Sequence, residues 1–154
     1  MIANSNISTN QQTIRKIFSL NGIGLHSGKK VKITVEPAKV NNGIKFIRTD
    51  LTKNNVVPAL WSNVSSTNLC TTISNKKGIS VSTIEHLMSA LSGMHIDNAN
   101  ILINNIEVPI MDGSSLPFVE ELENSGMEIQ EMPRKIISVK KEIFVSNNDS
   151  YAKI

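Results

Sequence analysis

The 154-residue chain has a single cysteine, a single tryptophan and a single tyrosine. One thiol, Cys70, cannot close an internal disulfide, so no cross-link substitutes for a core and a reducing compartment is expected. Aromatic residues make up only 4%, which leaves Ile, Val, Leu and Met to fill the interior. No apolar run approaches the roughly 18 residues of a membrane span. The polar, Asn-rich residues 1–12 have neither the basic start nor the apolar stretch of a signal peptide, so a cytoplasmic protein without a transmembrane segment is expected. The net charge of +3 is mild and comes without long basic runs or interleaved aromatics, which argues against nucleic acid as a partner. No CxxC pair, HExxH motif or Gly-rich phosphate loop is present.

What is there suggests one domain with a short addition. Residues 1–12 read as a flexible tail, residues 13–131 as a folded unit, and residues 132–154 as the opening of a second sheet. A short strand is expected over residues 13–18, with turns at Asn21-Gly22 and Ser27-Gly28. Val31, Ile33 and Val35 alternate with polar residues, the period of a half-buried strand, which Pro37 ends. Asn42-Gly43 is a hairpin signal that would pair residues 44–48 with that strand. Short strands are expected over 69–74 and 78–81, around a turn at 75–77. Ile84, Leu87, Met88 and Leu91 form one helical stripe. Ser82 and Glu85 have capping-box spacing, and Gly93 is a natural stop. A strand over 99–103, an extended stretch over 106–111, a turn at Asp112-Gly113 and a helix capped by Ser115 and ended by Gly126 follow. Residues 136–140, 142–145 and 151–154 read as strands, with a turn at 147–149. The fold class is α+β: a two-layer sandwich in which two helices cover a small, mostly antiparallel sheet, followed by the first strands of a second, similar domain.

Few residues could carry chemistry. The dipeptide Glu85-His86 at a helix start sets a carboxylate beside an imidazole. A neutral imidazole binds metals, and a neighbouring carboxylate can take a proton from bound water. The alternative is structural: Glu85 completes the capping box and His86 is an ordinary helix residue. A hydrolytic zinc site needs about three protein ligands, and the only other histidines, His26 and His95, are not at helical spacing from His86. His26 lies in a Gly-flanked loop able to approach a ligand or simply to meet solvent. His95 suits a helix C-terminus, Cys70 a small core position, and Asp112-Gly113-Ser114 a turn into a helix. Lys29-Lys30 with Lys32 reads as a solvated strand edge or as an anion contact such as a substrate phosphate.

Several stretches together favour the chemical reading. Gly22-Ile23-Gly24-Leu25-His26-Ser27-Gly28, Thr67-Asn68-Leu69-Cys70-Thr71-Thr72, Ser82-Thr83-Ile84-Glu85-His86-Leu87, Gly93-Met94-His95-Ile96-Asp97-Asn98 and Pro109-Ile110-Met111-Asp112-Gly113-Ser114 occur in this order, with Pro117-Phe118 after them. In that order they closely resemble the zinc-dependent UDP-3-O-acyl-N-acetylglucosamine deacetylases of lipid A synthesis. The resemblance implies two similar α+β domains with the active site between them. It implies that His86 is a ligand of Zn(2+), that Glu85 is the general base, and that the Leu69-Cys70-Thr71 strand lies beside metal and substrate. The substrate would be an acylated UDP-N-acetylglucosamine, hydrolysed to acetate and a free amine. The family's other two zinc ligands, a His and an Asp, are absent from these residues. The chain therefore resembles an N-terminal half, expected to be inactive alone and to need a complementing second-domain chain. A non-catalytic remnant or interaction domain of that family is the alternative, and a homodimer sharing His86 is a third reading.

Overall fold

The alternation of Val31, Ile33 and Val35 with polar neighbours becomes a half-buried strand in the computed structural model, which describes residues 8–154. In chain order the strands are β1 (Asn10–Ile14), β2 (Phe18–Ile23), β3 (Lys30–Pro37), β4 (Ile44–Arg48) and β5 (Val56–Pro58). A 3-10 turn (Trp61–Asn63) leads to β6 (Val64–Ser66), β7 (Thr72–Ser74) and β8 (Ser80–Val81). Helix α1 (Glu85–Gly93), β9 (Ala99–Ile103), α2 (Leu116–Ser125) and β10 (Met127–Pro133) follow, then β11 (Phe144–Asn147) and β12 (Ser150–Lys153). The fold is α+β: two helices with several small sheets, the largest a five-stranded sheet in the order β2-β3-β9-β4-β5.

Strand β9 occupies the centre of that sheet, antiparallel to β3 and parallel to β4. The Asn42-Gly43 hairpin expected to join β3 to β4 is therefore not formed. The reason lies in Asn98, whose side-chain oxygen accepts the Gly43 N–H at 2.8 Å, while the Ala99 N–H donates to the Gly43 carbonyl at 3.2 Å. These bonds hold the start of β9 against the start of β4 and leave no room for direct pairing of β3 with β4. Ala99, Ile101 and Ile103 are fully buried, so the inserted strand also supplies core.

Other local signals were overridden. Asn21-Gly22 is not a turn; both residues pair with β3, and the chain reverses at 24–28 instead. The expected strand over 13–18 is split between β1 and β2. Of the expected tail over 1–12, residues 1–7 lie outside the described residues, whereas Gln11 and Gln12 are 4% and 8% exposed. Their burial follows from carboxamide pairing: Gln11 bonds Asn41, Asn98 and the Pro133 carbonyl, and β1 pairs antiparallel with β10. Residues 136–140 form no strand, and β11 and β12 pair with each other as an exposed hairpin turning at Asn148.

One apolar cluster joins sheet and helices: Ile33, Val35, Phe46 and Ile101 from strands, Leu87 and Leu91 from α1, Phe118 and Leu122 from α2. Met88, Met94 and Met111 are only partly buried against it, whereas Phe46 and Phe118 are fully buried within it. Replacing Ile101 by Ala at the centre of this cluster is expected to lower unfolding free energy by about 2–5 kcal/mol. Replacing Trp61, which is 89% exposed, should change it by about 0.5 kcal/mol or less. Urea denaturation of both variants checks the pair; equal effects would mean that the core is not where the burial places it.

Candidate active site

Helix α1 begins at Glu85 without the expected capping box, and no side chain among the described residues caps its first N–H groups. Ser82 is diverted: its N–H donates to the Ile106 carbonyl at 2.9 Å and its carbonyl accepts from Val108 at 3.1 Å. Glu85 reaches sideways, its Oε2 accepting the Thr71 N–H at 3.1 Å. Thr71 answers with its carbonyl, which accepts from the Ile84 N–H at 3.5 Å. The segment carrying Leu69, Cys70 and Thr71 is thus tied to the start of α1 in both directions. It is a bend rather than the expected strand, because Leu69 adopts a left-handed backbone with φ of 62° and leaves its side chain 84% exposed. Cys70 is half-buried, with Sγ 3.8 Å from Thr72 Oγ1, so it is not the core residue its sequence context suggested.

Thr83, two residues before Glu85, is buried with φ of 55°. A β-branched residue avoids this region, at a cost of order 1–3 kcal/mol. Its hydroxyl donates to Glu107 Oε1 at 2.9 Å. Glu107 is itself only 2% exposed, and its carboxylate also accepts the His26 N–H at 2.9 Å and the Ser27 N–H at 2.8 Å. Burial pushes the Glu107 carboxyl up, but the bonds from His26, Ser27 and Thr83 outweigh it and bring the pKa from 4.5 down to about 2. Gly24 is required beside it, since a Cβ there would run into the Glu107 carboxylate and the Ser27 hydroxyl. Gly22 lies equally close to the following segment, where a Cβ would stand 2.8 Å from Pro109.

His86 is half-buried on the first turn of α1. Asp112 is close enough to feel its charge. The Ser114 N–H and hydroxyl, donating at 2.9 and 2.8 Å, hold the Asp112 carboxyl below its ordinary value, and His86 adds to that. His26 is exposed and joins this region through Glu107. His95 lies at the far end of α1, where its left-handed backbone leads the chain out and its carbonyl accepts from Arg134. Among the described residues no group of three or more His, Cys, Asp or Glu is placed to hold a metal. Lys29, Lys30 and Lys32 are all exposed, but Lys30 and Lys32 lie on β3, which pairs with β2 on one side and β9 on the other, so they do not mark the strand edge that was expected.

Residues 11–154 match the family model described as LpxC, UDP-3-O-acyl N-acetylglycosamine deacetylase. The chain belongs to this deacetylase family. Curated UDP-3-O-acyl-N-acetylglucosamine deacetylases from Shewanella baltica strains OS155 and OS185 are each 44% identical to it over 144 residues, which is 94% of this chain and 47% of theirs. That of Shewanella sp. strain W3-18-1 is similar to the same extent. The chain spans about half the length of the curated relatives it matches.

Glu107, which joins the 22–28 loop to Thr83 ahead of α1, is a residue that sequence reasoning missed. Glu107 looked like one polar residue in an extended stretch; the only hint was a carboxylate among apolar residues 106–111 with no local partner. Its depressed pKa carries a stability consequence. A carboxyl held at about 2 rather than 4.5 contributes roughly 3 kcal/mol above pH 4.5, lost as pH falls through about 2. The unfolding free-energy difference between wild type and Glu107→Gln should therefore shrink across that window. A difference that stays constant would show that the carboxylate charge is not what the loop binds.

Proposed function

We propose that the chain is the N-terminal part of a zinc-dependent hydrolase that removes the N-acetyl group of UDP-3-O-acyl-N-acetylglucosamine in lipid A biosynthesis, in the cytoplasm. Within it, Glu85 is the general base. The observation that carries this reading is the posture of Glu85: one carboxylate oxygen is fixed by the Thr71 N–H, and Oε1 has no protein donor among the described residues. An oriented carboxylate with one free oxygen at a half-buried helix start can accept the proton of a water attacking an amide carbonyl. The proton would then pass to the departing amine, leaving acetate and a glucosamine. The exposed Leu69 and half-buried Cys70 and Thr71 would flank the substrate beside it.

The donor set does not by itself fit a zinc ion. His86 is one donor where about three are needed, and no three-donor cluster exists among the described residues. His86 is proposed as one ligand of a set completed by a second, complementing polypeptide segment. The same proposal takes residues 13–131 as a two-layer domain and residues 132–154 as the first strands of another. The absence of a three-donor cluster also favours a second reading, a non-catalytic interaction domain of the family.

Joining this chain to the half of a Shewanella baltica relative that it does not cover separates the two. Acetate release from UDP-3-O-acyl-N-acetylglucosamine is expected, with Glu85→Gln lowering kcat by about 10²- to 10⁴-fold. Full activity in Glu85→Gln would sink the assignment of the base, and a folded but inactive joined protein would favour the interaction domain. The metal can be counted separately. The 154-residue chain alone should retain no stoichiometric zinc, whereas the joined protein should hold about one equivalent, lost in His86→Ala.

A further inference from the structure

The position of Glu85 depends on backbone that is not comfortable on its own. Thr83 sits left-handed two residues before the start of the helix, and the direction in which α1 leaves follows from its φ and ψ. Two sets of bonds hold it there. Ser82 is clamped between Ile106 and Val108, the neighbours of Glu107 on either side, and the Thr83 hydroxyl is held by Glu107 Oε1. The same Oε1 accepts from His26, and Oε2 accepts from Ser27. A single buried carboxylate therefore joins a glycine-bounded loop, a strained threonine and, two residues later, the proposed base. Gly24 leaves the space in which it sits.

We propose that Glu107 is a positioning residue for Glu85: its carboxylate locks the Thr83 hydroxyl to the His26-Ser27 loop and thereby sets the direction in which helix α1 presents the base. The functional meaning of this rests on the reading of Glu85 as proton acceptor. The side chain of Glu107 does not reach the reacting atoms; it acts through Thr83. The hydroxyl is the transmitting group, so removing it at constant shape should release Glu85 from Thr71 while the core stays intact.

Amide hydrogen exchange in the 154-residue chain reads this without turnover, so a failure here is distinct from a failure of the general-base assignment, which the activity of Glu85→Gln decides. The Thr71 N–H, which donates to Glu85, is the reporter. In Thr83→Val and Glu107→Gln its exchange should accelerate about tenfold relative to wild type, while the amides of Ile33 and Ile101 in the central sheet keep their protection. Thr83→Ser, which keeps the hydroxyl, should leave Thr71 within about twofold of wild type. Wild-type exchange at Thr71 in both disruptive variants overturns the proposal. Uniform acceleration that includes Ile33 and Ile101 overturns it too, since Glu107 would then be a stability residue and nothing more. Should Glu107→Gln fail to fold, Thr83→Val decides alone.

Discussion

The central placement of β9 is the constraint from which the site hangs. A strand parallel to β4 cannot be reached from it by a tight turn, so the chain between them makes a long excursion that includes β5 to β8 and α1. On leaving β9 the chain runs past the start of α1, where Ser82 bonds to Ile106 and Val108. This is why Glu107 and Asp112, more than twenty residues after Glu85 in sequence, face the same helix turn. The backbone ladder of β9 brings the segments together, and the burial of Ala99, Ile101 and Ile103 makes that ladder expensive to break.

Left-handed backbone outside glycine is unevenly distributed by type. Asn41, Asn54 and Asn148 adopt it in turns, where a short polar side chain tolerates it well. Leu69, Thr83 and Met111 adopt it with side chains that do not. One precedes the Cys70-Thr71 segment, one precedes Glu85-His86 and one precedes Asp112. Bonds from another segment lie at or beside each: Thr71, two residues after Leu69, with Glu85; Thr83 itself with Glu107; and Ile110, next to Met111, with the Ile23 carbonyl. Strain collected beside a carboxylate and an imidazole, and held by long-range bonds, is the pattern of a site whose geometry is selected over local comfort.

Much of the fold was legible where a signal is local. The period-two burial of β3, the stripe of α1 with its stop at Gly93, the strand Ala99–Ile103 and the turns at Asp112-Gly113 and Asn148 all follow from neighbours a few residues apart. The failures share one cause, a distant partner winning over a local rule. Asn98 overrode the Asn42-Gly43 hairpin, β10 and paired carboxamides overrode the polar look of Gln11 and Gln12, and Thr71 took Glu85 away from its capping box. Glu107 was invisible for the same reason: its partners lie 81, 80 and 24 residues away. Glu85-His86 drew attention as a carboxylate beside an imidazole, but only the resemblance of several ordered motifs to one family raised it above a capping pair. The spacing of the pair alone did not separate chemistry from capping.

The two halves of the proposed chemistry differ in how far this chain determines them. The proposed proton acceptor is held entirely within it, from the His26 loop to Glu107, by bonds that need no other component. The proposed metal-binding half is a single imidazole beside an Asp112 whose Oδ1 is already engaged by Ser114. In that proposal, a preformed carboxylate would reduce the ordering that docking must accomplish, because only the incoming donors and His86 would remain to be aligned. Apolar side chains stand exposed on each contributing segment: Leu25 on the His26 loop, Leu69 on the bend before Thr71, and Leu116 at the start of α2. Their burial against an incoming segment would supply the driving force that a single ligand bond cannot.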